Sequence, residues 1–291
     1  MKKFLSLILI ALVTVGVLAA CSGGSEQTTT TKGADASTGR KASNSVVVGI
    51  AQDIDSLDPH NATTAGTREV LFNLYEGVVK ATSGGDVEPA VASEYVIADD
   101  ARSILFTIRK DVKFWDGTLV TAEDIIYSIN RYAEIQGESS AFSVFDSVEK
   151  VSEDEVLVRL KEGSAEFIYQ LTCAIIPEGY DGSDATAAPA GTGPFMFSEN
   201  NPGESFVVVR NPYYWKENCP YLDKVTFKIV ADAKTAILQL NAGTIDVYQY
   251  LTSDQAATID AGKFNILVGS VNYVQGMFLN NAAAPFDNKL V

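Results

Sequence analysis

The sequence has 291 residues, of which 46 % are hydrophobic and 20 % are charged, the composition of an ordinary globular protein. A formal net charge of −15 argues against a nucleic-acid partner, because nucleic-acid binding requires a basic surface. Three cysteines are too few for a disulfide framework, and a single histidine excludes a histidine-rich metal site.

Residues 1–20 have the pattern of a lipoprotein signal peptide. The basic start Met1–Lys3 precedes the apolar run Phe4–Leu18, which is too short to span a membrane comfortably. The run ends in Leu-Ala-Ala-Cys, which resembles a bacterial lipobox and predicts cleavage before Cys21 and a diacylglycerol on its sulfur; a plain secretory signal with an incidental cysteine is the alternative. The Ser/Thr/Gly-rich residues 21–45 predict a flexible tether.

Strand and helix patterns follow one another along the rest of the chain. The apolar run Val46–Ile50 predicts a first strand buried on both faces, and Arg68–Tyr75 predicts a helix that ends with Gly77 in the left-handed region. Thr121 is the expected N-cap of a helix, with Asp124 completing a capping box. Further elements are expected at Tyr95–Ile97, Ile104–Arg109, Val148–Val151, Glu155–Leu160, Ala165–Leu171, Phe206–Arg210, Val225–Val230, Ala233–Ala242, Ser253–Ala261, Asn265–Val268 and Asn272–Asn280, with a surface loop at Asp181–Ala190.

Several ordered motifs are more specific than these patterns. The segment 111–131 reads DVKFWDGTLVTAEDIIYSINR, and GTGPF at 191–195, RNPYYW at 210–215, PYLDKV at 220–225 and PFDNKLV at 285–291 follow it. Together they resemble the extracellular solute-binding proteins of family 5, the peptide and nickel binders that serve ABC importers. The glycines of GTGPF are expected to allow a backbone reversal, and the aromatic run in RNPYYW is either a stacking platform or structural packing.

The resemblance implies an α/β fold of the periplasmic-binding-protein type II-like, two-lobed kind. Only the first lobe and the start of the second would be present, with the first lobe at 46–270 and a crossing strand leading into a truncated second lobe at 271–291. The chain is therefore expected to be a fragment or the product of a truncated reading frame. A fragment of this kind is expected to bind solute weakly or not at all and to aggregate, because a large apolar face would be exposed.

The resemblance also implies a function without catalysis, cofactor or metal. The protein would capture peptides, or a related small solute, outside the membrane and deliver them to ABC permease subunits. It is expected to be a monomer held by its lipid anchor at the outer face of the cytoplasmic membrane, or in the periplasm. The candidate solute-binding residues are Asn61, Ala62, Thr63, Thr64, Ala65, Gly66, Phe142, Phe145, Tyr273 and Gln275, with Phe142 and Phe145 alternatively part of the core.

Two alternatives remain on the same residues. A sensory or adhesive receptor could use the same scaffold, because fold does not fix function. A secreted hydrolase would need a carboxylate pair, but Glu123 and Asp124 are explained by favourable charge at a helix start.

The sequence does not identify the solute: His60 is expected to be a surface-loop residue and does not argue for nickel. Whether Cys173 and Cys219 pair is also open.

Overall fold

A computed structural model describes residues 44–137, 140–269 and 280–288. The fold is mixed α/β, as the family resemblance implied. The predicted lipidation site Cys21 and the candidate residues Tyr273 and Gln275 lie outside the described ranges. The strands are β1 Ser45–Ile50, β2 Val79–Ala81, β3 Val87–Pro89, β4 Ala92–Ile97, β5 Ser103–Ile108, β6 Phe145–Ser152, β7 Glu155–Leu160, β8 Phe195–Asn201, β9 Ser205–Arg210, β10 Lys224–Ile229 and β11 Val247–Tyr248; the helices are α1 Ala65–Leu71, α2 Ala122–Gln136, α3 Ala233–Asn241 and α4 Ser253–Ala256, with 3-10 helices at Ala141–Val144 and Ala165–Thr172.

A five-stranded sheet carries the first of two main cores. Its order is β11-β1-β10-β9-β8, with β1 parallel to both neighbours and the other pairs antiparallel. Val48 of β1 packs with Val70 and Leu71 of α1, while Val47 faces a smaller core beneath α3. Both faces of β1 are therefore covered, as predicted, although most of its residues are only half-buried. The strand also begins at Ser45, one residue earlier than expected.

The second main core lies under a four-stranded antiparallel sheet in the order β4-β5-β7-β6. Helix α2 covers it with the fully buried Ile125 and Ile129. The predicted capping box is confirmed: the amide of Asp124 donates to the Thr121 hydroxyl at 3.2 Å, and the amide of Thr121 donates to Asp124 Oδ2 at 2.8 Å. The elements expected at Val148–Val151 and Glu155–Leu160 are antiparallel strands that form a hairpin, β6 and β7. In the described part of the chain, no helix is long and apolar enough to cross a membrane.

Three glycines have a different role from the one predicted. Neither Gly77 nor the glycines of GTGPF, Gly191 and Gly193, adopt a positive φ. Each instead lies against another stretch of backbone: a Cβ on Gly77 would be 2.5 Å from the carbonyl oxygen of Leu171, and one on Gly191 would be 2.2 Å from that of Leu74. The absence of a side chain therefore permits close packing of backbone segments here, and it does not serve a backbone reversal.

The C-terminal part agrees with the sequence only in part. Asp232 caps α3 through the amide of Thr235 at 2.8 Å, and Gly243 follows the helix at φ +70°, both as predicted. The expected strand at Asn265–Val268 is not formed. Leu267 and Val268 are 92 % and 94 % exposed, and no described strand lies beside them to provide a hydrogen-bonding ladder. Helix α4 is also shorter than predicted.

The two cysteines in the described part of the chain do not pair. Both Cys173 and Cys219 are free thiols.

Candidate solute-facing site

Residues 61–66, the largest group of candidate binding residues, comprise the end of the loop between β1 and α1 (61–64) and the first two residues of α1. Asp55 fixes the shape of this loop, because its Oδ2 accepts hydrogen bonds from the Thr63 amide at 2.9 Å, the Thr63 hydroxyl at 2.5 Å and the Thr64 amide at 3.0 Å. Burial acts to raise the pKa of Asp55, but the hydrogen bonds from Thr63, Thr67 and Thr64 outweigh it and hold the pKa well below its ordinary value. Asp55 is therefore an anion at neutral pH.

A buried ion pair supports the loop from beneath. Asp58 accepts two hydrogen bonds from Arg131 of α2, Nη1 to Oδ1 at 3.2 Å and Nη2 to Oδ2 at 2.5 Å. It also accepts from the His60 amide at 3.0 Å and from Asn61 Nδ2 at 2.8 Å. Burial acts to raise the pKa of Asp58, but Arg131 and the His60 amide bring the net pKa below its ordinary value. The pair thereby ties the loop to the helix that covers the four-stranded sheet.

His60 is buried, so the prediction of a surface-loop histidine is wrong. Only 3 % of it is exposed, and its Nε2 donates to the carbonyl of Ala174 at 2.8 Å, which fixes the neutral tautomer with the proton on Nε2. Burial lowers the pKa of His60 to about 4, and the charge of Arg131 acts in the same direction against the hydrogen bond to Ala174. His60 is thus neutral at physiological pH and joins the loop to the segment before the surface loop at 181–190.

The candidate residues fall into two groups in the structure. In the segment 61–66, whose last two residues begin α1, Asn61, Thr63 and Ala65 are exposed, Thr64 and Gly66 are half-buried, and Ala62 is buried. Phe142, which is only 4 % exposed, packs edge-on against Tyr132 and Phe167, and Phe145 stacks on Phe167. This burial favours the alternative in which both phenylalanines belong to the core, and their solute contact stays a prediction.

The RNPYYW motif meets the buried carboxylate of Glu76. Glu76 Oε1 accepts from Tyr214 at 2.8 Å and from Lys80 at 3.2 Å, and Oε2 accepts from Trp215 Nε1 at 2.7 Å. The guanidinium of Arg109 lies 4.2 Å from the Trp215 ring centroid. Burial, followed by the charge of Glu76, raises the pKa of Tyr214 above its ordinary value. With their polar atoms used inside the protein, Tyr214 and Trp215 fit the packing alternative better than a stacking platform, whereas Tyr213 is 44 % exposed.

Two cavities lie outside the loop. One of about 160 Å³ is lined by Phe72, Glu76 and Tyr214 among others, and a shallower one of about 310 Å³ extends from Tyr214 past Cys219 to Leu222. Neither of these two cavities is lined by residues 53–66. Within that structure, no three His, Cys, Asp or Glu side chains are grouped to hold a metal ion.

Sequence reasoning missed the residues that hold the loop. Asp58 and Arg131 are 73 positions apart, and neither a period nor a motif links them. The only local signal was Asp58-Pro59, which predicts a turn and gives no partner. Asp55 could have been found as an Asp followed by a Thr-Thr pair eight residues later, but this pattern is too common to be informative.

The fold corresponds to part of the periplasmic binding proteins of known structure. AgaA from A. tumefacien R10, in complex with agropinic acid, matches with a TM-score of 0.69 and 27 % identity over 73 % of this chain and 45 % of AgaA. The oligopeptide-binding protein AppA from Bacillus subtilis, in complex with a nonapeptide, matches with a TM-score of 0.66 and 28 % identity over 73 % of this chain and 45 % of AppA.

Residues 86–291 match the family model described as bacterial extracellular solute-binding proteins, family 5 Middle. A relative, the probable D,D-dipeptide-binding periplasmic protein DdpA of Escherichia coli K12, is 31 % identical over 261 residues, covering 83 % of this chain and 50 % of DdpA. The chain belongs to this family of solute-binding proteins, as the motifs indicated. It spans about half the length of the curated relatives that it matches.

Proposed function

We propose that this protein is the membrane-anchored solute-binding component of an ABC importer, which captures peptides or a related small solute outside the membrane and delivers them to the permease. The observation that carries this proposal is the family match over residues 86–291. Relatives named for dipeptide and oligopeptide binding make a peptide the first choice of solute. The proposal assigns a binding role, without catalysis or a cofactor.

In this proposal residues 46–270 form one lobe, and 271–291 begin the crossing to a second. Solute would be held between the two as a hinged clamp closes. The loop at 61–66 would form one wall, since its polar residues are exposed and its backbone is fixed by Asp55 and Asp58. A fixed loop loses little conformational entropy on binding, which favours affinity. Tyr273 and Gln275 remain predicted contacts on the crossing segment, and the protein is proposed to act as a monomer.

Tri-alanine at millimolar concentration is expected to raise the melting temperature of the full chain in detergent. Binding to the folded state alone stabilises it, and a ligand at ten times its dissociation constant adds about 1.4 kcal/mol. Differential scanning fluorimetry measures the shift, and free alanine at three times the concentration is the matched control. A shift no larger than that with alanine would contradict peptide binding, and release of alanine from the peptide would instead favour the hydrolase alternative.

Cys21→Ser is expected to move the protein from the membrane to the soluble fraction. The lipid carried by the sulfur is proposed as the anchor, and each buried methylene contributes about 0.8 kcal/mol, so two or more acyl chains hold firmly. Fractionation of cells followed by immunoblotting measures the distribution, and Ser22→Ala serves as the neighbouring control. Wild-type protein that is already soluble would contradict the lipid anchor.

A further inference from the structure

The side-chain amide of Asn61 is held in a single orientation. Its Nδ2 donates to Oδ2 of Asp58 at 2.8 Å. A deprotonated carboxylate only accepts hydrogen bonds, so the amide oxygen of Asn61 cannot take this position. Asn61 is exposed, and among the described residues its Oδ1 has no hydrogen-bond partner. The residue therefore offers a free acceptor to the solvent side of the loop.

Asp58 is itself prevented from rotating away. Both of its oxygens are used by Arg131, and Oδ1 also accepts from the His60 amide. Bidentate pairing of this kind fixes the plane of the carboxylate as well as its position. The orientation of Asn61 is thus set by residues that the solute would not touch, which makes Asp58 a positioning residue.

Thr63, the other residue of the segment 61–66 that is exposed and has a polar side chain, also offers only an acceptor. Its hydroxyl proton is donated to Asp55 Oδ2 at 2.5 Å, which leaves lone pairs on the outer side. Asp55 adds a negative charge next to it. The neighbouring cation Arg68 has its Nε engaged by the carbonyl of Ala62 at 2.9 Å. A solute group facing Asn61 and Thr63 would therefore meet acceptors.

We propose that Asp58 positions Asn61 so that the loop selects solutes that present an N–H donor to it, either an ammonium group or a peptide amide. The inference rests on the proposed solute-facing role of residues 61–66. It goes beyond that role by naming Asn61 as the side chain that contacts the solute and an N–H donor as the group that it binds. A carboxylate presented to the same place would face oxygen lone pairs and the charge of Asp55, and would be disfavoured.

The test is a ligand-observed NMR titration of the full chain in detergent micelles, which tolerates millimolar dissociation constants. The probes are tri-alanine, tri-alanine trimethylated at its N-terminal nitrogen, which keeps the positive charge but has no ammonium N–H, and tri-alanine with both peptide nitrogens methylated, which lacks the amide donors. Asn61→Leu is expected to weaken tri-alanine binding by about tenfold, as for a lost hydrogen bond. The probe without the contacted N–H should bind wild type more weakly and lose nothing further in Asn61→Leu.

The probe that binds wild type and Asn61→Leu with the same affinity lacks the N–H group that Asn61 contacts. It therefore identifies the donor as ammonium or amide. An equal loss for all three probes would overturn the inference and leave peptide binding intact. Failure of every probe to bind wild type would instead contradict the proposed function and the inference with it.

The positioning role of Asp58 needs its own variant. Asp58→Asn is expected to abolish the discrimination between probes, because an amide at 58 can also donate and lets Asn61 turn over. Glu76→Gln alters a buried carboxylate network elsewhere in the protein and should lower stability while keeping the discrimination. Loss of discrimination in Glu76→Gln as well, or its retention in Asp58→Asn, would overturn the positioning role.

Discussion

Gly191→Ala is expected to lower the free energy of unfolding by about 3 kcal/mol or more, at the upper end of the cost of overpacking. The new Cβ would lie 2.2 Å from the carbonyl oxygen of Leu74. Neither partner can give way easily, because the Gly193 amide donates to that same oxygen at 2.9 Å and the Trp115 amide donates to the carbonyl of Gly191 at 2.9 Å. Urea denaturation followed by circular dichroism measures the loss.

Gly84→Ala is the matched control for this substitution. Gly84 has no positive φ, and its surroundings leave room, since the closest atom to a Cβ would be a threonine hydroxyl 3.7 Å away. Alanine there is expected to be neutral or to add up to about 1 kcal/mol by restricting the unfolded chain. A loss in Gly191→Ala no greater than the change in Gly84→Ala would show that the backbone contact at Leu74 is not rigid.

Arg131→Met is expected to lower the free energy of unfolding by about 3 kcal/mol at pH 7. Removing one member of a buried ion pair leaves the other charge without its counterion, at a typical cost of about 3–5 kcal/mol. Asp58 would keep the hydrogen bonds from His60 and Asn61, so the lower end of this range applies. The loss should shrink as pH falls, because protonation removes the unpaired charge. Denaturation curves at several pH values measure both effects.

The exposed ion pair of Arg159 with Glu149 provides the comparison. Its Nη2 lies 2.6 Å from Glu149 Oε1, a distance close to that in the buried pair, but both side chains are half-exposed. Arg159→Met is expected to cost about 0–1 kcal/mol, because water solvates the remaining carboxylate. Similar losses in Arg131→Met and Arg159→Met would contradict the view that burial makes the Asp58 pair important.

The features predicted correctly from the sequence are those set by neighbours along the chain. The capping box of α2 depends on Thr121 and Asp124, three residues apart, and the cap of α3 on Asp232 in the same way. The family could be recognised because its motifs are runs of adjacent residues. For these elements the sequence already contains every group that takes part in the interaction.

The wrong predictions concern residues whose structure depends on interaction partners that are distant in sequence. His60 was expected at the surface from the polar composition of its loop, but it is buried through a hydrogen bond to Ala174, 114 residues away. Gly77 has the spacing of a helix C-cap, yet its role is set by Leu171 and its neighbours lying against it. Asn265–Val268 has a strand pattern without an adjacent strand. Local pattern cannot provide this information, because tertiary contacts override local preference.

The position of β1 between β11 and β10 has a consequence for the order in which the molecule folds. Ser45 of β1 pairs with Lys224 of β10. Of the described strands, β1 is synthesised first, but it can pair with β10 only after this late element of the sheet has been synthesised. The sheet from β4 to β7 needs only residues 92–160 and closes much shorter loops. We therefore infer that the interior segment acquires structure early and that the five-stranded sheet closes around β1 afterwards. Among the described strands, β1 is synthesised first and is one of the last to pair with its neighbouring strands.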